Sequence, residues 1–398
     1  MSAFQTLRLK KGEERRIRQG HLWIYSNEID TRATPLRQFE PGEAVIIEAA
    51  NGKALGVGYV NPHSLIAARL LTRNPDTELG VRFFKQRLQQ AEKLRALHFS
   101  APFYRLAFGE SDFLPGLVVD RHGDVLVVQI TTAGMERLKD RVITALEALY
   151  EPAAIVLRND LDSRKLEGLP LEDEVIGALP EEVIIEENAT RFILPVLGGQ
   201  KTGWFYDHRE SRRQLQQLVA GKRVLDVFSY LGGWGLEALN AGASEAVFVE
   251  RSELALDHLE RSAQLNGLAG RITQYQGNVF EVLPQLINDG ERFDVVIVDP
   301  PAFIKRKKDF KAGKQGYQRI NELALRLLNP DGILVSASCS HHMPREVLRE
   351  QIQRAARQID RMAQVFFQGG QGPDHPVHPA MPETEYLKTF FLRAWPGQ

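Results

Sequence analysis

The chain has a single cysteine, Cys339, which follows the apolar run GILVSAS. A cysteine inside a buried strand is usually an inert, small apolar residue. This one comes just past the run, and Pro344 then marks the start of a helix whose N-terminus would lower the pKa of the thiol. The position therefore predicts a reactive thiol at the end of a strand.

A second chemical group, the carboxylate of Asp299, ends the apolar run DVVIVD and is followed by Pro300 and Pro301. Two consecutive prolines fix the backbone and remove two hydrogen-bond donors. The carboxylate and the neighbouring carbonyls are therefore held rigidly, as is needed to grip a planar base. A turn built only for rigidity is the plainer alternative.

A glycine-rich turn follows a third run, in VLDVFSYLGGWG. Asp226 ends this run, and Gly232, Gly233 and Gly235 punctuate the turn into a helix. Glycines let the backbone approach a bound ligand closely, although they also permit tight packing of a helix on a strand. The spacing differs from the G-x-G-x-x-G pattern of dinucleotide-binding folds.

Two more polar residues come at strand ends and have the chemistry to bind a nucleoside. Glu250 ends the run AVFVE, 24 residues beyond Asp226, close to the offset at which an acid meets a ribose diol in nucleotide-binding folds. Asn278 follows the next run and offers an amide that would hydrogen-bond an adenine edge. Capping of the following helix would equally explain Asn278.

The runs that carry these residues alternate with helical segments over the second half of the chain. They read RVLDVF, EAVFVE, RITQYQ, DVVIVD and GILVSAS. This alternation predicts an α/β fold with a Rossmann-like, doubly wound parallel sheet and crossover helices. Because parallel strands end at one edge of such a sheet, the polar residues at their ends should lie together there.

The first half of the chain has a different pattern of predicted strands and helices. EAVIIEA and ALGVGYV read as strands of a small β-rich module. The hairpin LPGLVVD–VLVVQI, the amphipathic helix MERLKDRVITALEALY and the strand AAIVLRN predict a small α+β domain, and a second hairpin turns around Asn188. We therefore predict three domains, at residues 1–75, 76–188 and 189–398.

Composition excludes several classes of protein. The chain has 398 residues, 43% of them hydrophobic and 25% charged, which is ordinary for globular domains. One cysteine cannot form an internal disulfide, which suits a reducing cytoplasm. No residues have zinc-ligand spacing, no apolar run approaches the roughly 18 residues of a membrane span, and the basic N-terminus is not a secretory signal. We expect a cytoplasmic protein without a metal.

Two basic clusters predict a polyanionic partner, although the net charge is only −1. One lies in the first 18 residues and the other begins five residues after Pro300. Charge runs are usually solvated faces, but the second cluster follows a candidate catalytic strand end, which favours phosphate binding. The candidate RNA contacts are Lys10, Lys11, Arg15, Arg16, Lys305, Lys307 and Lys308.

Taken together, these segments resemble a class I S-adenosylmethionine (SAM)-dependent methyltransferase. The closer resemblance is to the ribosomal RNA large-subunit methyltransferase I family, which makes 5-methylcytidine in large-subunit RNA. GHLWIYSNEI is similar to that family's N-terminal PUA-like domain and GESDFLPGLVVDRHGD to its central domain. QKTGWFYDHR, DVFSYLGGWG, DPPAF and SCSHH are similar to its catalytic domain, so the resemblance covers essentially the whole chain.

The resemblance implies a covalent mechanism. Cys339 would add to carbon-6 of cytosine as a thiolate, so that carbon-5 can attack the methyl group. Asp299 would hold the N3 edge of the base and must be protonated or share a proton. Better-known RNA cytosine enzymes carry a second cysteine where this chain has Pro300 and Pro301, so the base that removes the carbon-5 proton is unassigned, with water as the default.

The resemblance also implies SAM as the cofactor, bound across the glycine turn. Its methionine end would meet the turn at Asp226, its ribose Glu250 and its adenine Asn278, and the segment QKTGWFYDHR would fold over it. The implied cofactor-binding residues are Asp226, Phe228, Gly232, Gly233, Glu250, Asn278, Lys201, Phe205 and Arg209.

Two alternatives stay open. Asp-Pro-Pro followed by an aromatic residue is similar to the motif of enzymes that methylate an exocyclic amine of a base, although Phe303 lies one residue late and Cys339 would be idle. A non-catalytic RNA-binding protein could also keep this fold. The resemblance further implies large-subunit ribosomal RNA as partner and a homodimer, and it leaves open the target nucleotide and whether the RNA is naked or assembled.

Overall fold

The chain forms two compact units in a computed structural model that describes residues 4–397. The first unit contains the chain up to Val183 together with Gln200–Trp204 and Pro373–Thr384. The second contains Ile184–Gly199, Phe205–Gly372 and the chain from Glu385 onward. Residues 1–3 of the first predicted domain and residue 398 of the third lie outside the described residues. The division into three domains stays a prediction.

The first unit begins with a five-stranded sheet in the order β1-β3-β4-β5-β2, where β1 is parallel to β3 and the other pairs are antiparallel. Its elements are β1 (Gln5–Arg8), α1 (Glu14–Arg18), β2 (Trp23–Ile24), β3 (Glu43–Glu48), β4 (Ala54–Val60) and β5 (Ala68–Thr72). Alternate residues of β3 are buried, which confirms the predicted strand. β5 is an inner strand, because β2 pairs with its free side.

A second sheet of five strands follows in the first unit, in the order β10-β9-β8-β7-β6. Its elements are α2 (Val81–Ala96), β6 (Phe103–Phe108), β7 (Leu117–His122), β8 (Val125–Ile130), α3 (Ala133–Arg137), α4 (Lys139–Tyr150), β9 (Ala154–Leu157), α5 (Asp162–Leu166) and β10 (Glu174–Gly177). The hairpin β7–β8 is confirmed. The single helix predicted from residue 135 is two helices, because the backbone of Leu138 is non-helical (φ −99°, ψ 3°).

A two-stranded hairpin follows, formed by β11 (Val183–Glu187) and β12 (Thr190–Leu194), and from Ile184 onward it belongs to the second unit. Asn188 and Ala189 form its two-residue turn, both with positive φ (49° and 63°). Such a turn matches the twist of the flanking strands, and asparagine tolerates the left-handed backbone well. The predicted hairpin around Asn188 is therefore confirmed.

The main element of the second unit is a seven-stranded sheet in the order β15-β14-β13-β16-β17-β19-β18. Its strands are β13 (Arg223–Val227), β14 (Glu245–Glu250), β15 (Ile272–Gln276), β16 (Phe293–Val298), β17 (Leu328–Ser338), β18 (Arg361–Gly369) and β19 (Lys388–Pro396). The first five are parallel, which confirms the doubly wound sheet. β19 is antiparallel and lies between β17 and β18, which the sequence did not predict.

Helices cover this sheet and complete its core. They are α6 (Arg209–Gln216), α7 (Gly233–Asn240), α8 (Glu253–Leu265), α9 (Val279–Asn288), α10 (Phe310–Leu327) and α11 (Arg345–Gln358). α11 starts directly after Pro344, as predicted. No helix within residues 4–397 has the length and apolar character needed to cross a bilayer.

The strand order reverses between β13 and β16. The chain runs outward from β13 through β14 to β15 and then returns to β16 on the other side of β13. At such a reversal the connections leave in opposite directions, and a crevice opens at the carboxyl ends of the two strands. The sheet therefore positions the residues after β13 and β16 at its natural binding edge.

The helix α7 packs closely on β14 through glycine. A Cβ atom on Gly235 would lie 2.2 Å from Cε1 of the buried Phe248 ring, and one on Gly232 would lie 2.8 Å from Cδ1 of Leu259. Gly232 also has a left-handed backbone (φ 75°). For these two positions, tight packing accounts for the glycines.

We expect Gly235→Ala to lower the free energy of unfolding by about 1–3 kcal/mol, because the new methyl group overlaps a fixed aromatic ring. Urea denaturation followed by circular dichroism measures the change. Gly270→Ala is the matched control, since no atom lies within 4 Å of its added methyl group, and it should stay within about 0.5 kcal/mol. Equal effects of the two substitutions would contradict this packing account.

Candidate active site

The carboxylate of Asp226 ties the end of β13 to the first turn of α7. Its Oδ2 atom accepts a hydrogen bond from the Gly235 amide at 2.9 Å. Between these residues, Phe228 and Tyr230 adopt left-handed backbone conformations (φ 61° and 49°). The turn therefore folds back over the strand end, and Gly233 is the first residue of α7.

The other oxygen of Asp226 is available to a ligand. Oδ1 of Asp226 and Oγ of Ser229 are buried and have no hydrogen-bond partner among the described residues. Burial raises the pKa of Asp226 to about 7, the Gly235 hydrogen bond opposes this shift, and the carboxylates of Asp299 and Glu250 add to it. An unsatisfied buried oxygen among acids calls for a cationic donor. The α-ammonium group of SAM fits that requirement.

Glu250 holds the same turn from β14. Its Oε2 atom accepts from the Tyr230 amide at 2.9 Å, and its Oε1 atom accepts from the amides of Arg251 and Ser252 at 2.8 and 2.9 Å. A carboxylate offers about four acceptor positions, so three backbone bonds leave capacity for a hydroxyl. Glu250 thus has a structural role and can still accept from a ribose.

Asn278 caps a helix, which was the alternative explanation for this residue. Its Oδ1 atom accepts from the Phe280 amide at 3.0 Å, at the start of α9. The residue is exposed at the carboxyl end of β15. Binding of adenine by Asn278 stays a prediction.

Two side chains hold the Asp299 carboxylate at the end of β16. Nε1 of Trp234 donates to Oδ2 at 3.1 Å, and Nε2 of His208 lies 3.2 Å from Oδ1. Trp234 belongs to α7, next to the glycine turn, and His208 immediately precedes α6. The sequence pointed to neither partner, although a histidine inside the segment QKTGWFYDHR was a visible signal.

The contact with Asp299 raises the pKa of His208. Burial by itself lowers the pKa of His208, but the charge and hydrogen bond of Asp299, together with the charge of Asp207, raise it above the ordinary 6.5. The direction of this shift favours a protonated imidazole beside the Asp299 carboxyl group. That Asp299 is protonated or shares a proton when it holds the base stays a prediction.

Aromatic rings follow the two prolines. The Phe303 ring lies 4.9 Å from that of Tyr317, 6.1 Å from Phe280 and 6.3 Å from Phe228, measured between centroids. Phe228 and Phe303 come from the turns after β13 and β16, the two strands at the order reversal. The crevice therefore has an apolar wall suited to a flat ring.

Cys339 directly follows β17 and is partly buried. The loop that carries it is bonded to the loop after Asp299, because Oγ of Ser340 donates to the Ile304 carbonyl at 2.6 Å. Oγ of Ser338 donates to the Tyr317 hydroxyl at 2.8 Å. β16 and β17 pair in parallel up to Val298 and Ser336. Cys339 and Asp299 thus leave neighbouring strand ends into the same region.

A lysine that the sequence analysis missed lies beside this loop. Nζ of Lys388 donates to the Ser340 carbonyl at 2.6 Å, and the residue is only 7% exposed. Lys388 lies on β19 opposite Ser338. A lysine within the apolar segment YLKTFFL was the available signal, because lysine is rarely buried.

Of the three residues of QKTGWFYDHR predicted to bind the cofactor, the structure brings one to the candidate cofactor site. The Phe205 ring lies 5.4 Å from the Tyr230 ring in the glycine turn, which brings Phe205 to the candidate cofactor site. Arg209 is buried in an ion pair with Glu187, at 2.9 Å, and its role in cofactor binding stays a prediction. Lys201 belongs to the first unit, and its role also stays a prediction.

The predicted RNA contacts differ in their surroundings. Lys305, Lys307 and Lys308 are exposed, and no ion pair holds them within the described chain. Arg16 is bonded to Glu28 at 2.7 Å and lies over the Tyr25 ring, so it stabilises the N-terminal module. The three remaining contacts, Lys10, Lys11 and Arg15, are exposed.

Family models match two parts of the chain. A PUA-like domain matches residues 7–73, and an S-adenosylmethionine-dependent methyltransferase matches residues 163–380. The order reversal, the unsatisfied Asp226 oxygen and this match together define a SAM-dependent methyltransferase with an N-terminal PUA-like domain. SAM is its cofactor. The predicted fold class is thereby confirmed.

Curated relatives are similar over nearly their full length. The chain is 38% identical to the ribosomal RNA large subunit methyltransferase I of Serratia proteamaculans, over 97% of this chain and 98% of the relative. It is also 38% identical to the enzyme of that name from Cronobacter sakazakii, over 96% and 97%. The chain belongs to the ribosomal RNA large subunit methyltransferase I family.

Solved structures share the fold. A protein from Streptococcus mutans, assigned as a SAM-dependent methyltransferase, superposes with a TM-score of 0.81 at 19% identity, covering 98% of this chain and 100% of that one. A methyltransferase-fold protein solved with SAH gives a TM-score of 0.83, with the same identity and coverage. At this identity the likeness concerns the fold alone.

We predict that Asp299→Asn lowers the pKa of His208 by about one pH unit or more, because it removes the nearest negative charge. Proton NMR titration of the histidine signals measures this pKa. Since the folded pKa is raised, the pair stabilises the fold fully below pH 6.5 and loses this contribution as pH rises through the folded pKa.

Asp257→Asn is the matched control for this titration. It removes an exposed carboxylate 3.7 Å from His258 and should leave the pKa of His208 unchanged. An unaltered His208 titration in Asp299→Asn would show that the carboxylate does not set the charge of this histidine.

Proposed function

We propose that this protein methylates carbon-5 of a cytosine in large-subunit ribosomal RNA, with Cys339 as the nucleophile. The observation that carries the proposal is the joining of two loops at adjacent strand ends. The Ser340 hydroxyl bonds to the Ile304 carbonyl, which keeps the loop of Cys339 against the loop of Asp299. The names of the curated relatives support large-subunit ribosomal RNA as the substrate.

The thiol supplies what cytosine chemistry lacks. Carbon-5 of cytosine is a poor nucleophile, but addition of the Cys339 thiolate to carbon-6 forms a C–S bond and turns the ring into an enamine. The electron pair of the former double bond then becomes available at carbon-5. Bound SAM would supply an electrophilic methyl group, and its sulfonium S–CH3 bond would break as the bond to carbon-5 forms, leaving S-adenosylhomocysteine. Asp226, through its buried Oδ1 atom, and Glu250, through its carboxylate, are the side chains best arranged to hold that cofactor.

Asp299 and His208 supply the proton that the adduct needs. Addition at carbon-6 places negative charge on the N3 and O2 side of the ring, and a proton donated at N3 neutralises it. In the proposed mechanism this proton comes from the Asp299–His208 pair, whose Oδ1 and Nε2 atoms lie 3.2 Å apart at a strand end, beside the rigid Pro300–Pro301 turn. The target base must leave its stack to enter this crevice, so a single-stranded or loosened site is favoured.

Release of the product completes the sequence. The carbon-5 proton leaves to a water molecule, the electron pair of the C–H bond re-forms the ring double bond, and the C6–S bond breaks to return the Cys339 thiolate. The N3 proton returns to the Asp299–His208 pair. In the proposed mechanism water does this because Pro300 and Pro301 stand where other RNA cytosine enzymes place a second cysteine.

RNA binding would use exposed cations on both units. Lys305, Lys307 and Lys308 lie close in sequence to Asp299 and carry no ion pair within residues 4–397, so they are available to phosphates. The PUA-like domain would add Lys10, Lys11 and Arg15. The three-domain division, a cytoplasmic location and a homodimer are part of this proposal.

Cys339→Ala should bind SAM normally but give no 5-methylcytidine, because the enamine cannot form without the thiolate. Methyl transfer from labelled SAM to large-subunit ribosomal RNA, followed by nucleoside analysis, measures the product, and wild type is the control. Full activity of Cys339→Ala, or an N-methylated base as the wild-type product, would instead favour methylation of an exocyclic amine.

Charge reversal by Lys307→Glu with Lys308→Glu should weaken RNA binding and lower the salt dependence of log K by roughly two, one for each lost phosphate contact. Affinity for SAM should not change. The matched control reverses Lys222 and Arg292, which precede β13 and β16 at the opposite edge of the sheet. Equal loss of RNA affinity in the two double variants would contradict the assignment of Lys307 and Lys308 as RNA contacts.

A further inference from the structure

Lys388 is a buried cation fixed next to the only thiol of the chain. It is the first residue of β19 and pairs across the sheet with Ser338, one residue before Cys339. Its ammonium group donates to the carbonyl of Ser340, one residue after Cys339, at 2.6 Å. The lysine is therefore anchored to both neighbours of the cysteine.

The surroundings of Lys388 provide little else to balance its charge. No carboxylate forms an ion pair with it within the described residues, 4–397. Burial lowers the pKa of Lys388 to about 8, and among nearby charges the Cys339 thiolate acts most strongly, raising it. A buried ammonium without a carboxylate partner is costly unless another anion is close. Cys339 can supply such an anion, because its charge acts on Lys388.

We propose that Lys388 is a positioning residue whose ammonium group holds Cys339 as a thiolate before it meets the RNA base. The proposal rests on the proposed function of Cys339 as the nucleophile. In forming the ion pair the thiol gives its proton to water and Lys388 keeps its own, so no bond to carbon is made or broken. When the C6–S bond later breaks, the returning thiolate meets the same ammonium group.

Several titratable groups lie around Lys388 and Tyr317, the two side chains on which the charge of Cys339 acts. Arg345, on α11, is a second cation, but its guanidinium donates to the Gly369 carbonyl at 3.0 Å. As anions, Glu385, which acts on Lys388, and Asp299, which acts on Tyr317, would oppose a thiolate at Cys339. Burial raises the pKa of Tyr317, which therefore stays neutral. The remaining titratable neighbours are His341 and His342, which follow Cys339 and pack on each other.

The single cysteine makes a direct test possible, because any thiol reagent reports on Cys339 alone. The rate of alkylation by iodoacetamide, measured against pH, gives the midpoint of thiol ionisation. We expect the wild-type midpoint to lie below the 8.5 or so of an unperturbed cysteine. Lys388→Met should raise the midpoint by at least about one pH unit, leaving roughly tenfold less thiolate at neutral pH.

Lys388→Arg is the matched variant, because it keeps the positive charge and should keep the midpoint low. SAM binding and thermal unfolding show whether each variant is folded. A Lys388→Met midpoint equal to that of wild type would overturn the proposal. So would a wild-type midpoint at or above about 8.5, which can be read from thiolate absorbance at 240 nm even where Lys388→Met does not fold.

Failure of this proposal can be distinguished from failure of the proposed function. If the midpoint depends on Lys388 while Cys339→Ala still methylates RNA, the lysine holds a thiolate that is not the nucleophile. If Cys339→Ala makes no product while Lys388→Met leaves the midpoint of thiol ionisation unchanged, Cys339 is still supported as the nucleophile. The role of Lys388 is then only structural.

Discussion

The hydrogen bond from the Gly235 amide to the buried Asp226 carboxylate is the contact on which the rest of the site depends. It fixes the first turn of α7 against the end of β13. That turn carries Trp234, whose indole holds Asp299 on the next strand. The loop closed by this bond also presents the Tyr230 amide to Glu250. One buried bond thus aligns the ends of β13, β14 and β16.

The electrostatics of the crevice follow from that alignment. Asp226, Glu250 and Asp299 are brought close enough for their charges to act on one another, which is unfavourable unless cations or protons compensate. His208 compensates on the Asp299 side. On the Asp226 side the unsatisfied oxygen matches the ammonium group of SAM. Lys388 supplies positive charge near Cys339. In the proposed site, acidic side chains surround the cofactor position and a lysine lies beside the thiol.

The positions of the strand-end residues could be predicted from the sequence because each apolar run stops at a polar residue. Asp226 is the penultimate residue of β13, Glu250 ends β14, and Asp299 and Cys339 directly follow β16 and β17, all in the parallel part of one sheet. The order of the strands could not be read in the same way. β19 lies between β17 and β18 through pairings far apart along the chain, so the position of Lys388 beside Cys339 had no local signal beyond a lysine in an apolar segment.

Side-chain partners were equally out of reach of local patterns. Arg209 and His208 are adjacent in sequence, yet one is buried against Glu187 and the other bonds to Asp299. The helical start of α6 points them in different directions, and only the packed neighbours decide which of them reaches the crevice. Gly232 and Gly235 likewise suggested a ligand, and the structure shows that the Phe248 ring and Leu259 also leave no room for a side chain there. Cofactor binding by Gly232 and Gly233 stays a prediction.

The most direct measurement is to trap the covalent adduct. RNA whose target cytosine carries fluorine at carbon-5 has no proton to lose there, so an adduct formed through carbon-6 cannot break down. With SAM present, we predict a denaturation-resistant protein–RNA complex in which mass spectrometry finds the RNA on Cys339. Methylation of unmodified RNA by the same preparation, with no adduct on the fluorinated RNA, would contradict the covalent account.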